Sequence, residues 1–453
     1  MENSISPENM NRMARIMIEK FGMTYTDAVT KLSELRLQIE CGPSIKHSPS
    51  LQAAFITALT TGNRAFHGGI SYSLPANIPL LLPWPGHKTL NTLALELLPN
   101  QSMPTARTLP TLCIDRPDLA GGNFFHLYCD GWRAGISPKS ALQEFSQGAD
   151  FSLGGVAAGA LGVGVAFFGA VGISTRANDK AFGISLWELD NDWLSNDSIG
   201  PKLESLPKKL WLLGLGHLGQ AFLWNMCLLP FENPASTELI LQDFDKVVKA
   251  NWTAGLICDG NSIGRFKTRV SADFLEKRGF LTRIVERPFD GRTIREPEEP
   301  RIAICGFDKA EPRRILDKAG FDLVVESGVG GGLDSFDKIG LHTLPHPSMS
   351  AETIWDNIKI PVPAINPILL KQLDQGSTCG VLAEELAQTS ISTSFVGALA
   401  GALSLSEILR AYHNGSKLEN FKGQIRYFES RQQYFLEPYS PEIAAKNGTV
   451  PAH

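Results

Sequence analysis

A glycine-rich turn near the middle of the chain has the residue spacing with the clearest chemical meaning. Gly214, Gly216 and Gly219 form a G-x-G-x-x-G pattern between a short apolar run, 210–213, and a longer one, 221–229. This order predicts a strand, a tight turn and a helix, in which backbone N–H groups and the helix N-terminus bind phosphate. The pattern therefore predicts a nucleotide site. NAD, FAD and ATP sites share it, and a tight turn that binds nothing also fits.

Acidic and basic side chains follow the next predicted strands. Asp243 and Asp245 end the strand after the glycine turn, where an acidic residue usually binds the ribose hydroxyls, although both could simply cap a loop. Asp308 follows a later apolar strand, at the carboxyl edge where open α/β sheets bind ligands. Arg313 could position a phosphate or pair with Glu311. The glycine turn and Asp243 are also sufficient for an NAD(P)-dependent oxidoreductase, which stays an alternative.

Four ordered blocks that begin with the glycine turn resemble the ThiF/MoeB superfamily, the adenylating fold of ubiquitin-activating enzymes. The second block, Asp-x-Asp-x-Val-x-x-x-Asn, ends at Asn251, and the third, Ile-Gly-x-x-Lys, ends at Lys267. A segment similar to the family's Asp-Asn-x-x-x-Arg block begins at Asp308, and residues 392–403 look like its late helix. The resemblance covers most of residues 207–430. It implies a Rossmann-like, mostly parallel sheet with flanking helices.

The resemblance also implies an ATP-dependent reaction. The family uses ATP and Mg²⁺ to adenylate a carboxylate, typically the C-terminal glycine of a ubiquitin-like or sulfur-carrier protein, because AMP makes the carboxylate an activated acyl group. By this resemblance the glycine turn approaches the nucleotide, Asp243 with Asp245 lies at the ribose, Asn251 and Lys267 contact phosphates, and Asp308 holds Mg²⁺. One well-placed aspartate is enough, since Mg²⁺ prefers one or two carboxylates together with phosphate oxygens. A solvated helix lysine is the other interpretation of Lys267.

Two positions depart from the family pattern. The arginine that normally reaches the phosphates is replaced by Ala254, and the Asn after the family's aspartate is Lys309. The family also uses an arginine from the partner lobe or subunit, and Arg12 or Arg64 could supply it here. These departures keep open a catalytically degenerate scaffold that binds a ubiquitin-like protein.

Cys379 is the candidate nucleophile for a second step, in which the activated carboxyl group forms a thioester. It lies in a Gly/Ser/Thr-rich loop, 375–380, just before the late helix, where the crossover-loop cysteine of the family tends to sit. A helix N-terminus there would lower the pKa of the thiol. A small loop cysteine without a catalytic role is the alternative, and Cys227 and Cys305 fall in apolar elements typical of a core.

The composition narrows the partners and the compartment. A formal net charge of −5 gives no reason to expect nucleic acid or an anionic membrane as a partner. Seven scattered cysteines contain no C-x-x-C pair, which disfavours a structural zinc site and indicates reduced thiols in a cytoplasm. The first residues lack the basic and apolar regions of a signal peptide. Residues 151–173 are uncharged and long enough to cross a bilayer, but their many small residues favour a buried helix.

The pattern of elements divides the chain into three parts. Residues 1–195 are predicted to form an N-terminal α/β lobe, which begins with helical structure over 8–41. A polar linker then leads to the nucleotide-binding domain, 207–340, where strands alternate with helices as in a parallel sheet. Residues 341–453 hold the crossover loop with the candidate cysteine, the late helix and a C-terminal strand.

Two glycine- and alanine-rich helices resemble each other across the lobes. Residues 155–161 and 397–403 have nearly the same pattern, and each helix is followed by a strand, although coincidence is the alternative. A true repeat would make the protein a pseudo-dimeric monomer, or half of a homodimer, with an inactive N-terminal half. The tail of the ubiquitin-like partner would thread under the loop at 345–380, and a conjugating enzyme would be a further partner.

Overall fold

The computed structural model describes residues 10–101, 109–121, 123–138, 148–173, 180–357 and 389–453. These residues form two α/β lobes, each built on one mixed sheet whose central strands are parallel, which confirms the predicted fold class. Parallel neighbours need a crossover between them, and helices of the observed lengths supply it.

The first lobe is a six-stranded sheet with helices. Its elements, in chain order, are α1 (Ala14–Phe21), α2 (Tyr25–Glu34), β1 (Arg36–Cys41), α3 (Pro49–Ala65), β2 (Gly69–Ser73), α4 (Leu90–Leu97), β3 (Thr111–Ile114), β4 (Phe124–Asp130), β5 (Arg133–Ser137), α5 (Ser152–Ala170) and β6 (Phe182–Ser185). The strand order is β2-β1-β3-β4-β5-β6. The first four of these strands are mutually parallel, and β5 and β6 are antiparallel to their neighbours.

The second lobe has an eight-stranded sheet. Its elements are β7 (Ser205–Pro207), β8 (Lys209–Leu213), α6 (His217–Cys227), β9 (Glu238–Gln242), α7 (Lys249–Trp252), α8 (Lys267–Glu276), β10 (Leu281–Val285), β11 (Ile302–Cys305), α9 (Ala310–Arg313), β12 (Leu323–Val329), β13 (Lys338–Leu344), α10 (Ala351–Asn357), α11 (Ser394–Tyr412), β14 (Leu418–Gln424), β15 (Gln432–Phe435), α12 (Glu442–Asn447) and β16 (Thr449–Pro451). The order is β10-β9-β8-β11-β12-β13-β14-β15, while β7 pairs with β16. In this order the strands β10, β9, β8, β11 and β12 are mutually parallel, and β13, β14 and β15 are each antiparallel to the strand before them.

The predicted helix over 8–41 is wrong at its C-terminal end. Residues 36–41 form β1 instead, which lies inside the first sheet between β2 and β3. Leu37, Ile39 and Cys41 are buried while the residues between them are half-buried, which is the period of two expected of a strand. The preceding helices, α1 and α2, are separate and short. The apolar spacing near residue 35 therefore combined the helical period of α2 with the period of two of β1.

Glycines explain why the two apolar helices resemble each other. In α5, Gly155 and Gly159 lie against α3, and in α11, Gly397 and Gly401 lie against α6. A Cβ at Gly155 would stand only 2.0 Å from the Ser50 carbonyl oxygen, so any larger residue would push the helices apart. The same small-residue spacing therefore solves the same close helix packing in both lobes.

These two helices are also the described helices that are long and apolar enough to cross a membrane. In the tested windows, 89% of α5 and 100% of α11 is buried inside the protein. The prediction that residues 151–173 form a buried helix is therefore confirmed, with the helix at Ser152–Ala170.

Aromatic and polar contacts join the lobes into one core. Trp84 of the first lobe packs edge-on against Trp224 of α6, with ring centroids 5.4 Å apart. The Trp224 indole N–H donates to the hydroxyl of Thr57 in α3 at 3.1 Å, which satisfies a polar group inside this interface. Phe167 and Phe395 continue the contact between α5 and α11. The interface fixes first-lobe side chains beside the second-lobe sheet.

Candidate functional site

The glycine turn lies at the carboxyl end of β8. The chain runs from β8 to β9 and β10 on one side and then crosses to β11 on the other, so the turn sits at the switch point where open α/β sheets bind ligands. Gly214 has a φ of +80°, and a Cβ at Gly219 would lie 2.2 Å from the Gly214 carbonyl oxygen. A Cβ at Gly216 would meet no described atom within 4 Å. The turn thus presents bare backbone, as a phosphate cradle requires.

Asp243, Asp245 and Lys267 form a chain of contacts that starts at the glycine turn. One carboxylate oxygen of Asp243 accepts the Leu215 N–H at 2.7 Å, and the other accepts the Asp245 N–H at 2.8 Å. The Lys267 ammonium lies 2.7 Å from the Asp245 carboxylate. The structure therefore brings these three predicted site residues together. Asp243 keeps further lone pairs for a ribose hydroxyl, because a carboxylate can accept about four hydrogen bonds.

Asn251 lies in a separate turn that is tied to α6. Its side-chain oxygen accepts the Val248 N–H at 2.9 Å, which leaves its amide N–H₂ for a ligand. The side-chain oxygen of Gln220, in the helix after the glycine turn, accepts the N–H groups of Ile257 and Cys258 at 3.2 Å each. The segment that follows Asn251 is thus held against α6, the helix after the glycine turn.

Asp308 is exposed on the loop after β11, and a first-lobe arginine approaches it. Burial lowers the pKa of the Arg12 guanidinium, and the nearby Asp308 charge partly restores it. The Arg12 Nε is buried without a hydrogen-bond partner among the residues that the structure describes. Arg64, the other first-lobe arginine considered from the sequence, instead contacts Cys258 and Trp252. Arg12 is therefore the first-lobe arginine whose charge acts at Asp308.

His217 lies inside the G-x-G-x-x-G pattern, where the sequence indicates an exposed residue of no catalytic role, and it is the first residue of α6 and only partly exposed. Its Nε2 lies 3.0 Å from the Thr393 carbonyl oxygen, just before α11. Burial lowers the pKa of His217 to about 4. The hydrogen bond to Thr393 acts to raise this pKa, and the charge of Arg12 lowers it further. The ring is therefore neutral near pH 7 and donates from Nε2 to this carbonyl oxygen, and its lowered pKa makes it a weak base.

Arg313 lies against a buried carboxylate below the Asp308 loop. Its Nε is 3.1 Å from Glu326, a β12 residue that is only 1% exposed, and 3.0 Å from the Phe307 carbonyl oxygen. His342 of β13 approaches the other oxygen of Glu326 at 3.1 Å. The partner of Arg313 is therefore Glu326 and not Glu311, and its contacts brace the loop that carries Asp308.

The six described cysteines are poor nucleophiles. Burial raises the pKa of each thiol, which disfavours the thiolate form that attacks an acyl group. They are Cys41, Cys113, Cys129, Cys227, Cys258 and Cys305. Cys379, the predicted thioester residue, lies outside the described residues.

The first lobe has a turn at the corresponding place, after β1 and beside β3. A Cβ at Gly42 would stand 1.7 Å from the Asp115 carbonyl oxygen, so the backbones of the two segments are in contact. The Asp115 carboxylate accepts the Ser44 N–H at 2.6 Å. Asp115 itself has a φ of +54°, an uncommon conformation for this residue. A protein carboxylate thus occupies a backbone donor of this turn.

A groove of about 560 Å³ crosses the antiparallel part of the second sheet. Its floor is low in side chains, because Gly328 pairs with Gly340 across β12 and β13. Lys338 and Lys422 stand at its sides. A Cβ at Gly328 would lie 3.3 Å from the guanidinium of Arg313, so the groove begins next to the network below Asp308.

The residues at the switch point fit ATP with Mg²⁺. Gly216 leaves room for phosphate, and the Asp308 carboxylate is an oxygen ligand of the type that Mg²⁺ prefers. Within the described parts of the chain, no group of three His, Cys, Asp or Glu side chains is arranged to hold a metal. A Mg²⁺ ion at Asp308 would therefore take its other ligands from phosphate and water.

Family models and a curated relative match this chain along most of its length. The model of the BilD N-terminal domain matches residues 36–186, and that of the BilD C-terminal domain matches residues 206–415. The "Bacterial E1-like protein BilD" of Collimonas sp. (strain OK412) is 35% identical over 410 residues, which covers 87% of each chain.

Solved structures give a more distant likeness. E. coli MccB with MccA-N7isoASN is 14% identical and aligns over 52% of this chain and 66% of its own, with a TM-score of 0.32. E. coli tRNA N6-threonylcarbamoyladenosine dehydratase, TcdA, is 16% identical and aligns over 45% of this chain and 84% of its own, with a TM-score of 0.30. At these TM-scores the superpositions are partial, and the architecture rests on this chain's own sheets.

Proposed function

The chain belongs to the BilD family of bacterial E1-like proteins, and from that premise we propose that it adenylates a carboxylate with ATP and Mg²⁺. The substrate is the C-terminal glycine of a ubiquitin-like or sulfur-carrier protein. The observation that carries the proposal is a bare glycine turn at the switch point, beside the loop of Asp308, whose charge also reaches Arg12 of the first lobe. A carboxylate, a guanidinium and phosphate-binding backbone at one switch point are what carboxylate activation requires.

In the proposed reaction an oxygen of the substrate carboxylate attacks the α-phosphorus of ATP. The bond from that phosphorus to the pyrophosphate oxygen breaks, and the acyl adenylate and pyrophosphate are the products. The glycine turn and the N-terminus of α6 hold phosphate oxygens, Lys267 and Asn251 contact them, and Asp243 orients the ribose. Arg12 balances the negative charge of the two anionic reactants. Mg²⁺ held at Asp308 would supply further charge neutralisation on the phosphates.

The partner's tail is proposed to lie along the glycine-floored groove. An extended backbone with small side chains fits a sheet surface from which Gly328 and Gly340 remove the side chains. Lys338 and Lys422 would attract acidic residues of the partner. The groove begins near Arg313, below Asp308, so a tail in it would end close to the nucleotide.

Cys379 is proposed to take the activated acyl group as a thioester and pass it to a conjugating enzyme. The raised pKa of the six described thiols supports this choice, because none of them favours the thiolate. The first lobe is proposed to be an inactive adenylation-like half, since the Asp115 backbone fills the space beside Gly42 in its turn. Both lobes together would then act as a pseudo-dimeric monomer.

The test is pyrophosphate exchange into ATP, measured with a candidate carrier that ends in glycine. Exchange that needs the carrier's terminal glycine, and that Asp308→Ala removes, is the expected result. Carrier binding without any exchange would contradict it and favour a second candidate function, a scaffold that binds the carrier. Ala254 motivates that second candidate, because the family's phosphate-contacting arginine is missing there.

A further inference from the structure

We propose that Arg64 of the first lobe is a positioning residue for the nucleotide site of the second lobe, which it controls through the turn 251–258. This inference rests on the proposed function. It concerns a residue that contacts the second lobe without touching the reacting atoms, and it gives the first lobe a task that is separate from the supply of Arg12.

Arg64 holds the outer side of the turn at two points. Its Nη2 donates to the Cys258 carbonyl oxygen at 2.8 Å. Its guanidinium carbon lies 4.8 Å from the centroid of the Trp252 ring, within the range of a cation–π interaction. Arg64 sits near the C-terminal end of α3, so a rigid helix of the first lobe sets the position of both contacts.

Gln220 holds the inner side of the same turn. Its side-chain oxygen accepts the N–H groups of Ile257 and Cys258, as described above. A Cβ at Gly255 would lie 2.3 Å from that oxygen and 2.8 Å from the Cys258 sulfur, so the turn packs tightly against α6. Arg64 and Gln220 together clamp the turn between α3 of the first lobe and α6 of the second lobe.

The clamp matters because the turn lacks its own charged contact. Ala254 stands where the family has an arginine, and it is only 3% exposed, so the turn offers no cation to the phosphates. Its remaining polar contribution is Asn251, whose carbonyl oxygen accepts the Gly255 N–H at 2.7 Å. The orientation of Asn251 then depends on how firmly the turn is held, and this is what Arg64 supplies.

Arg278 provides a matched control. It also joins the lobes through an arginine–aromatic stack, 3.8 Å from the Trp84 ring centroid and 3.6 Å from that of Phe274. Its charge acts on Cys227, at the end of α6 opposite to the glycine turn. Replacing Arg278 therefore weakens the interface between the lobes without loosening the turn.

The experiment compares Arg64→Ala, Arg64→Lys, Arg278→Ala and the wild type in the full chain. The KM for ATP in pyrophosphate exchange is expected to rise about tenfold in Arg64→Ala, with a smaller change in kcat. Arg64→Lys should restore part of the affinity, since lysine keeps the charge but loses the planar stack. Arg278→Ala should lower the melting temperature and leave the KM within about twofold of the wild type.

A second readout does not depend on activity. Cys258 is 1% exposed and its sulfur lies 3.5 Å from the Asn251 carbonyl oxygen, so a loosened turn should expose it to iodoacetamide. Alkylation of the Cys258 peptide should be faster in Arg64→Ala than in Arg278→Ala, measured by mass spectrometry. Equal alkylation and equal KM in these two variants would overturn the proposal. If the wild type shows no exchange, the proposed function fails, while the alkylation rates still decide the role of Arg64.

Discussion

The turns after β1 and β8 occupy the same place in their sheets, but only the turn after β8 has open space beside its backbone. In the first lobe the Asp115 carboxylate accepts the Ser44 N–H, and its backbone leaves no room beside Gly42. In the second lobe the backbone at Gly216 is bare, and Asp308 is exposed across the crevice. The Asp243 carboxylate also accepts a backbone N–H of the second-lobe turn, so an acidic residue at such a turn does not by itself exclude phosphate. The difference lies in the space beside the turn, which the Asp115 backbone fills in the first lobe and which is open at Gly216 in the second.

The sheets differ in a way that supports the same conclusion. Four parallel strands followed by antiparallel ones occur in both lobes, but only the second sheet has a further parallel strand, β10, at its edge. The added crossover contains α8, which begins with Lys267. Lys267, which pairs with Asp245, therefore lies in the crossover to β10. The described sheet of the first lobe has no strand that corresponds to β10.

The largest expected effect is on the rate of pyrophosphate exchange, and it distinguishes Asp308 from Asp115. Asp308→Ala should lower the rate of pyrophosphate exchange by about 10²–10³-fold, because it removes a charged group from the reacting centre. Asp115→Ala should leave the rate within about twofold, since the first-lobe turn takes no part in the reaction. Comparable losses in both variants would break the distinction between the lobes.

Glycine substitutions should sharpen the comparison. Gly216→Val places a side chain in the open space of the turn, so we expect a rise in the KM for ATP of about thirtyfold and an unchanged melting temperature. Gly42→Ala should do the reverse, with about 1–3 kcal/mol lost in the free energy of unfolding because its Cβ overlaps the Asp115 backbone. Calorimetry and exchange kinetics check both variants. A stable Gly42→Ala protein would show that the first-lobe turn is looser than described.

The smallest expected effect concerns pH. The folded pKa of His217, about 4, lies below its ordinary value of about 6.5, so the unfolded chain takes up the proton first as the pH falls. Stability is therefore fully present above about pH 6.5 and decreases toward pH 4, with about 2 kcal/mol lost between pH 7 and pH 5. Urea unfolding at both pH values should show a smaller loss in His217→Gln. The same loss in that variant would assign the pH dependence to other groups.

Local sequence patterns predicted which second-lobe side chains lie together better than they predicted the neighbours of those side chains. Gly214, Asp243 and Lys267 lie in ordered blocks along consecutive elements, so the sequence placed them near one another, and the E1-like family is confirmed. The neighbours of Arg12 and Arg313 could not be predicted. The electrostatic influence of Asp308 on Arg12 crosses from one lobe to the other, and the buried partner of Arg313 lies on β12. The first lobe lacked motifs, and there β1 was taken for helix.

The most direct test of the account is the number of ATP molecules that one chain binds. Isothermal titration with ATP and Mg²⁺ should give one site per chain, whose affinity Gly216→Val lowers about thirtyfold and Asp115→Ala leaves unchanged. Two sites in the wild type, or a single site whose affinity Gly216→Val does not change, would contradict the assignment of the nucleotide to the second-lobe turn.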